Sequence, residues 1–383
     1  MNALFEPARI FVFIRKATMV LAFASLCVRC VNAADHTLDD SVNQMGQKLC
    51  RYLDAKGYAE ISIRPFGGPP ELQTSAGPGL VQRFATVFQK HGVSVVDSSA
   101  IILTGDYTLV PSLEDQVTVR ILGTLMDRTG DVLTDFTLVD AHIPGHEQVH
   151  IQSDVNHAED VVQLLGVTTD LYPEDSVEDR NQDLKKHIEH PQVHISDSRC
   201  SASSRSPYHL QLMIGQSSLP LQEQRGKAFV ALQRADIYTV RLHNDSEYDA
   251  AVKLCIDGLN VFTFSKLKDA KGRPKYSVYI IPAGKMIELK GWHRTNDVVD
   301  QFQVMKYADS AAATLGHTQE IGTITASFFA AWPKGGTRPH DEDFVSKGDG
   351  NATGFGPPVR QAAKEVQREI GRLRSSVSIR YAQ

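Results

Sequence analysis

Residues 100–110, AIILTGDYTLV, and 116–126, QVTVRILGTLM, decide the fold of the first half of this chain. Both runs read as strands, aliphatic and β-branched with polar residues between. Outward from them the pattern changes period. Leu38, Val42, Met45, Leu49 and Leu53 recur at three- and four-residue steps, predicting an amphipathic helix over 38–57 that Gly57 ends. Ala59–Phe66 alternates like a strand, and Gly67–Gly79 is a Gly/Pro-rich loop. Pro78 opens a second helix with Leu80, Val81, Phe84, Val87 and Phe88 on one face, stopped by Gly92. Strands follow at Val93–Val96, at the two quoted runs and at Asp131–Ile143, with Arg128-Thr129-Gly130-Asp131 as the turn between the last two. Ala158–Leu165 reads as a short helix. This order implies an α/β sheet-and-helix domain over 38–168.

The composition shifts over 169–207, with an acidic start at Pro173–Asp179 and a serine-rich end at Ser196–Ser206. That segment is expected to be a linker, with one short helix at Arg180–Glu189. Residues 208–383 are strand-like at Leu210–Ile214, Ala228–Leu232, Ile237–His243, Ala250–Ile256, Ser277–Ile281, Met286–Leu289, Gln301–Val304 and Thr323–Trp332. Turn chemistry at Asn244-Asp245 and Asp257-Gly258 separates such runs, and the spacing predicts a mostly antiparallel β-sandwich. Residues 333–358 are expected to be a loose loop, Val359–Leu373 a charged helix, and Val377, Ile379 and Tyr381 a closing strand. The fold class expected is α+β.

The chain has 383 residues and a formal net charge of −5, with 42% hydrophobic and 22% charged residues. Such a balance does not suggest a nucleic-acid binder. Residues 1–33 read as a signal peptide: Arg9, Arg15 and Lys16 precede the apolar run Ala17–Val28, and Val31-Asn32-Ala33 suits cleavage. That run covers only about 18 Å as a helix, short of a ~30 Å hydrocarbon core, and no later stretch could span a bilayer. Ala24-Ser25-Leu26 puts no Gly or Ala immediately before Cys27, so the run lacks a lipobox. Cleavage would leave a chain of charge −8 with Cys50, Cys200 and Cys255. Three cysteines allow at most one internal disulfide, and the patterns around Cys50 and Cys255 suit small core residues.

The helix at 38–57, the strand Ile61-Ser62-Ile63, the helix at 80–90, Val93–Asp97 and Ile102-Leu103-Thr104-Gly105-Asp106-Tyr107 carry a resemblance, extended by Val117–Met126 and Thr129–Leu133. In this order they resemble an envelope-protein superfamily. It includes the curli secretion channel, a flagellar outer-membrane accessory protein, the lipoprotein activators of penicillin-binding proteins and the TolB amino-terminal domain. The likeness covers roughly residues 38–165 and rests on the order of elements and a hydrophobic-x-Gly-x-Tyr strand. It implies assembly and protein contact in the periplasm or cell envelope, with an envelope protein as partner, no cofactor and no catalytic residues. The missing lipobox departs from the lipoprotein members. No family resemblance is apparent for the C-terminal half.

His146-Glu147-Gln148-Val149-His150 fits H-E-x-x-H, in which two histidines one helical turn apart bind zinc and the glutamate activates water. It makes a zinc-dependent hydrolase, with His146 and His150 as ligands and Glu147 as base, the competing expectation. Pro144-Gly145 before it and the extended look of Val149–Gln152 argue against a helix, and Asn156 stands where a third ligand would fall. Gly67–Gly79 lacks the Lys-Ser/Thr of a phosphate loop. Gly291-Trp292-His293-Arg294 is an aromatic–cation cluster, and Trp292 and Arg294 are the candidate binding residues, since Trp and Arg anchor contacts. His340–Asp343 reads as a solvated charge run, and Asn244-Asp245-Ser246 and Asn351-Ala352-Thr353 fit the glycosylation triplet. Carbohydrate binding by the sandwich is a third expectation. The favoured one is a non-enzymatic envelope accessory or binding protein.

Overall fold

A computed structural model describes residues 37–110, 116–133, 150–304, 321–342, 351–355 and 363–382. The signal segment 1–33 and residues 146–149 of the H-E-x-x-H lie outside the described residues. The described chain is mixed α/β and mostly sheet, and it makes one compact unit.

Helix α1 (Leu38–Lys56) starts at Thr37, whose hydroxyl accepts from the Asp40 amide at 3.2 Å, and ends at left-handed Gly57. Asp39 and Asp40 sit in its first turn, where the helix dipole favours them. Its stripe of Leu38, Val42, Met45, Leu49 and Leu53 is buried as the periodicity predicts. Strand β1 (Glu60–Ile63), helix α2 (Gly77–Lys90) and strands β2 (Ser94–Val95), β3 (Ile101–Val110), β4 (Thr118–Asp127) and β5 (His150–Val155) follow. They form a five-stranded sheet in the order β2-β1-β3-β4-β5, parallel at β1 and antiparallel from β3 to β5. The predicted turn is present: the Asp127 carboxylate accepts from the amides of Thr129 (2.8 Å) and Asp131 (3.0 Å). Gly105 has a packing reason. A Cβ there would lie 2.0 Å from the Leu122 carbonyl and 2.5 Å from the Phe66 ring. Two residues on, fully buried Tyr107 accepts at its hydroxyl from the Ala76 amide at 3.0 Å.

Helix α3 (Ala158–Leu165) leads to β6 (Thr169–Asp170), α4 (Val177–Glu189), β7 (His194–Ser196), β8 (Arg199–Ser201), β9 (Tyr208–Ile214), β10 (Ser217–Ser218), β11 (Leu221–Gln224) and β12 (Lys227–Ala231). Then come β13 (Ile237–Asn244), β14 (Asp249–Ile256), β15 (Leu259–Asn260), β16 (Tyr279–Ile281), β17 (Lys285–Leu289), β18 (Gly291–Thr295) and β19 (Val298–Gln303). The described chain ends with β20 (Ile321–Pro333), β21 (Asn351–Phe355) and β22 (Ala363–Ala382). An eight-stranded sheet runs β18-β19-β13-β9-β8-β7, with β10 on β9 and β17 on β13. A nine-stranded sheet runs β11-β12-β22-β20-β14-β16-β21, with β15 on β14 and β6 on β22, and β21 returns to pair with β22. One apolar core draws on both of these sheets.

Three expectations need correction. Residues 169–207 are not a linker: β6 pairs with β22, β7 and β8 join the eight-stranded sheet, and Leu184, Ile188 and Cys200 are buried. The serines misled because Ser203 and Ser206 donate to the Asp170 carboxylate, at 3.0 and 2.8 Å, instead of to water. Val359–Leu373 is not a helix, since β22 runs unbroken from Ala363 to Ala382. Val366 and Ile370 share a face by plain alternation, and one register irregularity brings Leu373 onto it, between the pairs Leu373–Phe329 and Ile370–Ala331. Inserted residues of this kind make a strand imitate helical spacing. The loop expected at 333–358 is ordered at Glu342, 1% exposed, and at β21.

The boundary expected between the halves does not separate their cores. The core under α1 and α2 also takes in Ala251, Val278, Ile280, Phe329, Ala331 and Leu373.

Candidate functional site

Strand alternation sets the one aromatic–cation cluster singled out above. On β18, His293 points inward and is 1% exposed, against Phe262 and Tyr276, while Trp292 and Arg294 share the other face. The cluster is itself a strand at the end of the eight-stranded sheet. Trp292 is half-buried and meets Phe264 and Phe302 edge-on, with centroids at 5.3 and 5.6 Å. The Arg294 guanidinium lies 5.7 Å from the Phe264 ring centre, donates to the Phe264 carbonyl at 2.9 Å and pairs with Asp300 at 2.5 Å. Its side chain keeps 35% exposure. The arginine is thus held in one orientation with its partners already chosen.

Of the H-E-x-x-H, only the His150 backbone is described. It opens β5 opposite Thr124, extended as the flanking sequence predicts. Among the described residues no group of three or more His, Cys, Asp or Glu side chains gathers as a metal site would require. Cys50, Cys200 and Cys255 are free and buried, and burial pushes the Cys50 and Cys255 thiols up to about 11. The amides of Gly67 and Gly79 donate to the carbonyls of Gly105 and Asp257.

Two other sites depart from expectation. Asn244 of the first glycosylation triplet is 0% exposed, and its Nδ2 donates to the carbonyls of Tyr248 (2.7 Å) and Ile281 (3.0 Å). The folded chain therefore withholds it from any glycosylating enzyme. In the charge run at 340–342, Asp341 makes a two-pronged pair with Arg374, and buried Glu342 accepts from Arg374 at 3.2 Å and from the Arg372 amide at 2.9 Å. Asp343 lies outside the described residues.

The sequence reading missed a buried polar seam on the nine-stranded sheet. Lys253, Cys255 and Asp257, Thr323, Thr325 and Ser327, and Ser376, Ser378 and Arg380 share one face, because β14, β20 and β22 keep their alternation in register. Helix α3 covers them. Lys253 pairs with Glu159, and Cys255 Sγ lies 3.6 Å from Gln163 Oε1. Buried Asp160 takes the Leu38 amide at 2.9 Å; burial opposes its charge, but His157, Lys253 and that amide hold its pKa down to about 2. Buried Asp257 accepts from the Thr323 amide and the Tyr381 hydroxyl, each at 2.8 Å, and burial still pushes it up to about 6. No single residue of the seam carried a motif; its signal was a polar stripe in strand register. With this geometry in view, no family model, curated protein or solved structure matches the chain.

Proposed function

We propose that this chain is an exported, non-enzymatic binding protein of the cell envelope that acts through protein–protein contact. On this reading residues 38–168 are its envelope-accessory-like α/β part, in line with the resemblance of residues 38–165, and residues 208–383 a β-sandwich part that shares a core with it. The observation that carries the proposal is the Trp292–Phe264–Arg294 cluster: a half-buried indole beside an oriented, partly exposed guanidinium. Aromatic and arginine anchors with little rotamer freedom left to lose are what contact surfaces use. No helix among the described residues is long and apolar enough to cross a membrane.

The test is photo-crosslinking in cells from a residue placed at Val298, exposed and on the face of β19 that Asp300 shares with Trp292, and from one at Glu223 on β11. The expected result is one envelope protein captured at stoichiometric yield from position 298 only. Trp292→Ala should weaken that capture at least about 30-fold, the effect of a 2 kcal/mol anchor. Equal capture from both positions, or capture indifferent to Trp292→Ala, would sink the proposal.

A further inference from the structure

Near its end, β22 buries an arginine that meets no carboxylate among the described residues. Arg380 is 2% exposed. Its Nε donates to the carbonyls of Gln73 (2.9 Å) and Leu72 (3.2 Å), and its Nη2 to those of Leu72 (2.9 Å) and Gly166 (3.0 Å). Nη1 makes no hydrogen bond among the described residues. On the neighbouring parallel strand β12, Lys227 is 7% exposed, and its Nζ donates to a single acceptor, the Glu71 carbonyl at 2.7 Å. Neither cation makes an ion pair with a described acid.

Both side chains line one small cavity together with Thr168, His187 and Gln192. It has room for one water-sized sphere or little more. Its wall is fixed by backbone: Gly226 has φ +74°, and a Cβ there would stand 1.8 Å from the Pro191 carbonyl oxygen. Two largely buried cations facing one small cavity lose hydration and repel each other, and carbonyl dipoles replace only part of the lost water. Burial, then the charge of Arg380, pushes Lys227 down to about 8; burial pushes Arg380 down to about 10.

We infer that this cavity is an anion site for a chloride-sized inorganic ion, held between Arg380 Nη1 and Lys227 Nζ. Charge selects an anion over water, and the small volume between the two cations suits a monatomic ion. The bound ion ties β12 and β22 to the backbone at Leu72 and Gly166, and so joins the two halves of the chain. Glu71 is the competing occupant, since its exposed carboxylate lies near enough for its charge to raise the pKa of Lys227.

The test is thermal unfolding of the purified full chain in gluconate buffer, titrated with chloride or bromide at constant ionic strength. A saturable rise of a few degrees is expected for both halides. Lys227→Met should flatten it and Glu71→Gln should leave it intact. A midpoint that ignores halide, an undiminished response in Lys227→Met, or a response seen only in Glu71→Gln would each overturn the inference. Should Lys227→Met fail to fold, bromide-soaked crystals of the parent chain decide. An anomalous peak within reach of Arg380 Nη1 supports the site, and no peak there refutes it.

Discussion

The two faces of the β14-β20-β22 ribbon differ in almost every respect except burial. On one, Val252, Leu254 and Ile256 meet Ile324, Ala326 and Phe328 and, across them, Val377 and Ile379, all 4% exposed or less. On the other, Lys253, Cys255 and Asp257 meet Thr323, Thr325 and Ser327 and then Ser376, Ser378 and Arg380. A polar-out, apolar-in alternation ordinarily means that one face is in water. Here α3 and the loops around it cover the polar face as closely as the opposite sheet covers the apolar one. The apolar face is stabilised by area and packing and tolerates no cavity. The polar face depends on partner for partner matching, and where a partner is missing it carries a penalty.

The largest test sets neighbours on β20 against each other. Phe328→Ala on the apolar face should destabilise by about 3–5 kcal/mol in urea unfolding. A loss below about 1 kcal/mol would mean that the apolar face is not the packed core described.

Next in size is pH. Asp257 has a folded pKa of about 6 against 3.8 unfolded, so between those values the folded state holds the extra proton. Stability from this group therefore falls as pH rises from about 4 to 6, by the order of 3 kcal/mol. His243 behaves oppositely. Burial, then the charge of Arg199, takes it down to about 4 from 6.5, and its buried Nε2 has no partner among the described residues. Its contribution is lost as pH falls from 6.5 through 4, by a similar amount. The parent chain should show a shallow net slope across pH 4–6.5. Asp257→Asn should stabilise steadily with rising pH, His243→Gln should become less stable with it, and parallel slopes in both variants would disprove the assignment.

Glu159→Gln should cost roughly 2–3 kcal/mol by leaving Lys253 short of its nearest counter-charge, less than for a fully buried pair because both side chains stay partly exposed. The double replacement Glu159→Leu/Lys253→Met should recover most of that loss in chemical unfolding, if the seam is a matter of matching. The smallest effect sharpens the contrast most. Ser327 and Ser376 face each other with buried hydroxyls that have no hydrogen-bond partner among the described residues. Ser327→Ala should therefore be neutral or stabilising by up to about 1 kcal/mol, one residue away from the most damaging substitution.

Much of this architecture is legible in the sequence. The helical stripe from Leu38 to Leu53, the helix at 158–165 and the eight strand runs after residue 208 all emerge from local period, and local period is a property of neighbours along the chain. The failures are equally specific. Val366, Ile370 and Leu373 carry helical spacing, but alternation with one strand irregularity produces the same facing, and only pairing with β20 distinguishes helix from strand. Residues 169–207 have a linker's composition, yet Arg180 donates to the carbonyls of Leu171, Tyr172 and Leu373 and docks that segment onto β22. Of the candidate site, Trp292 and Arg294 were visible as residue types; their common face and the Phe264 beneath them were not.

By itself, then, the sequence determined which segments alternate, which are amphipathic, and where glycine or a capping side chain ends them, since each depends on a few adjacent residues. Only the tertiary structure decided which polar residues are buried, that one core crosses the expected domain boundary, and that Arg380 and Lys227 face one cavity. Those outcomes join residues up to 308 positions apart, as between Leu72 and Arg380. A polar face has the same period in water as under a helix, so burial is settled only by what packs against it.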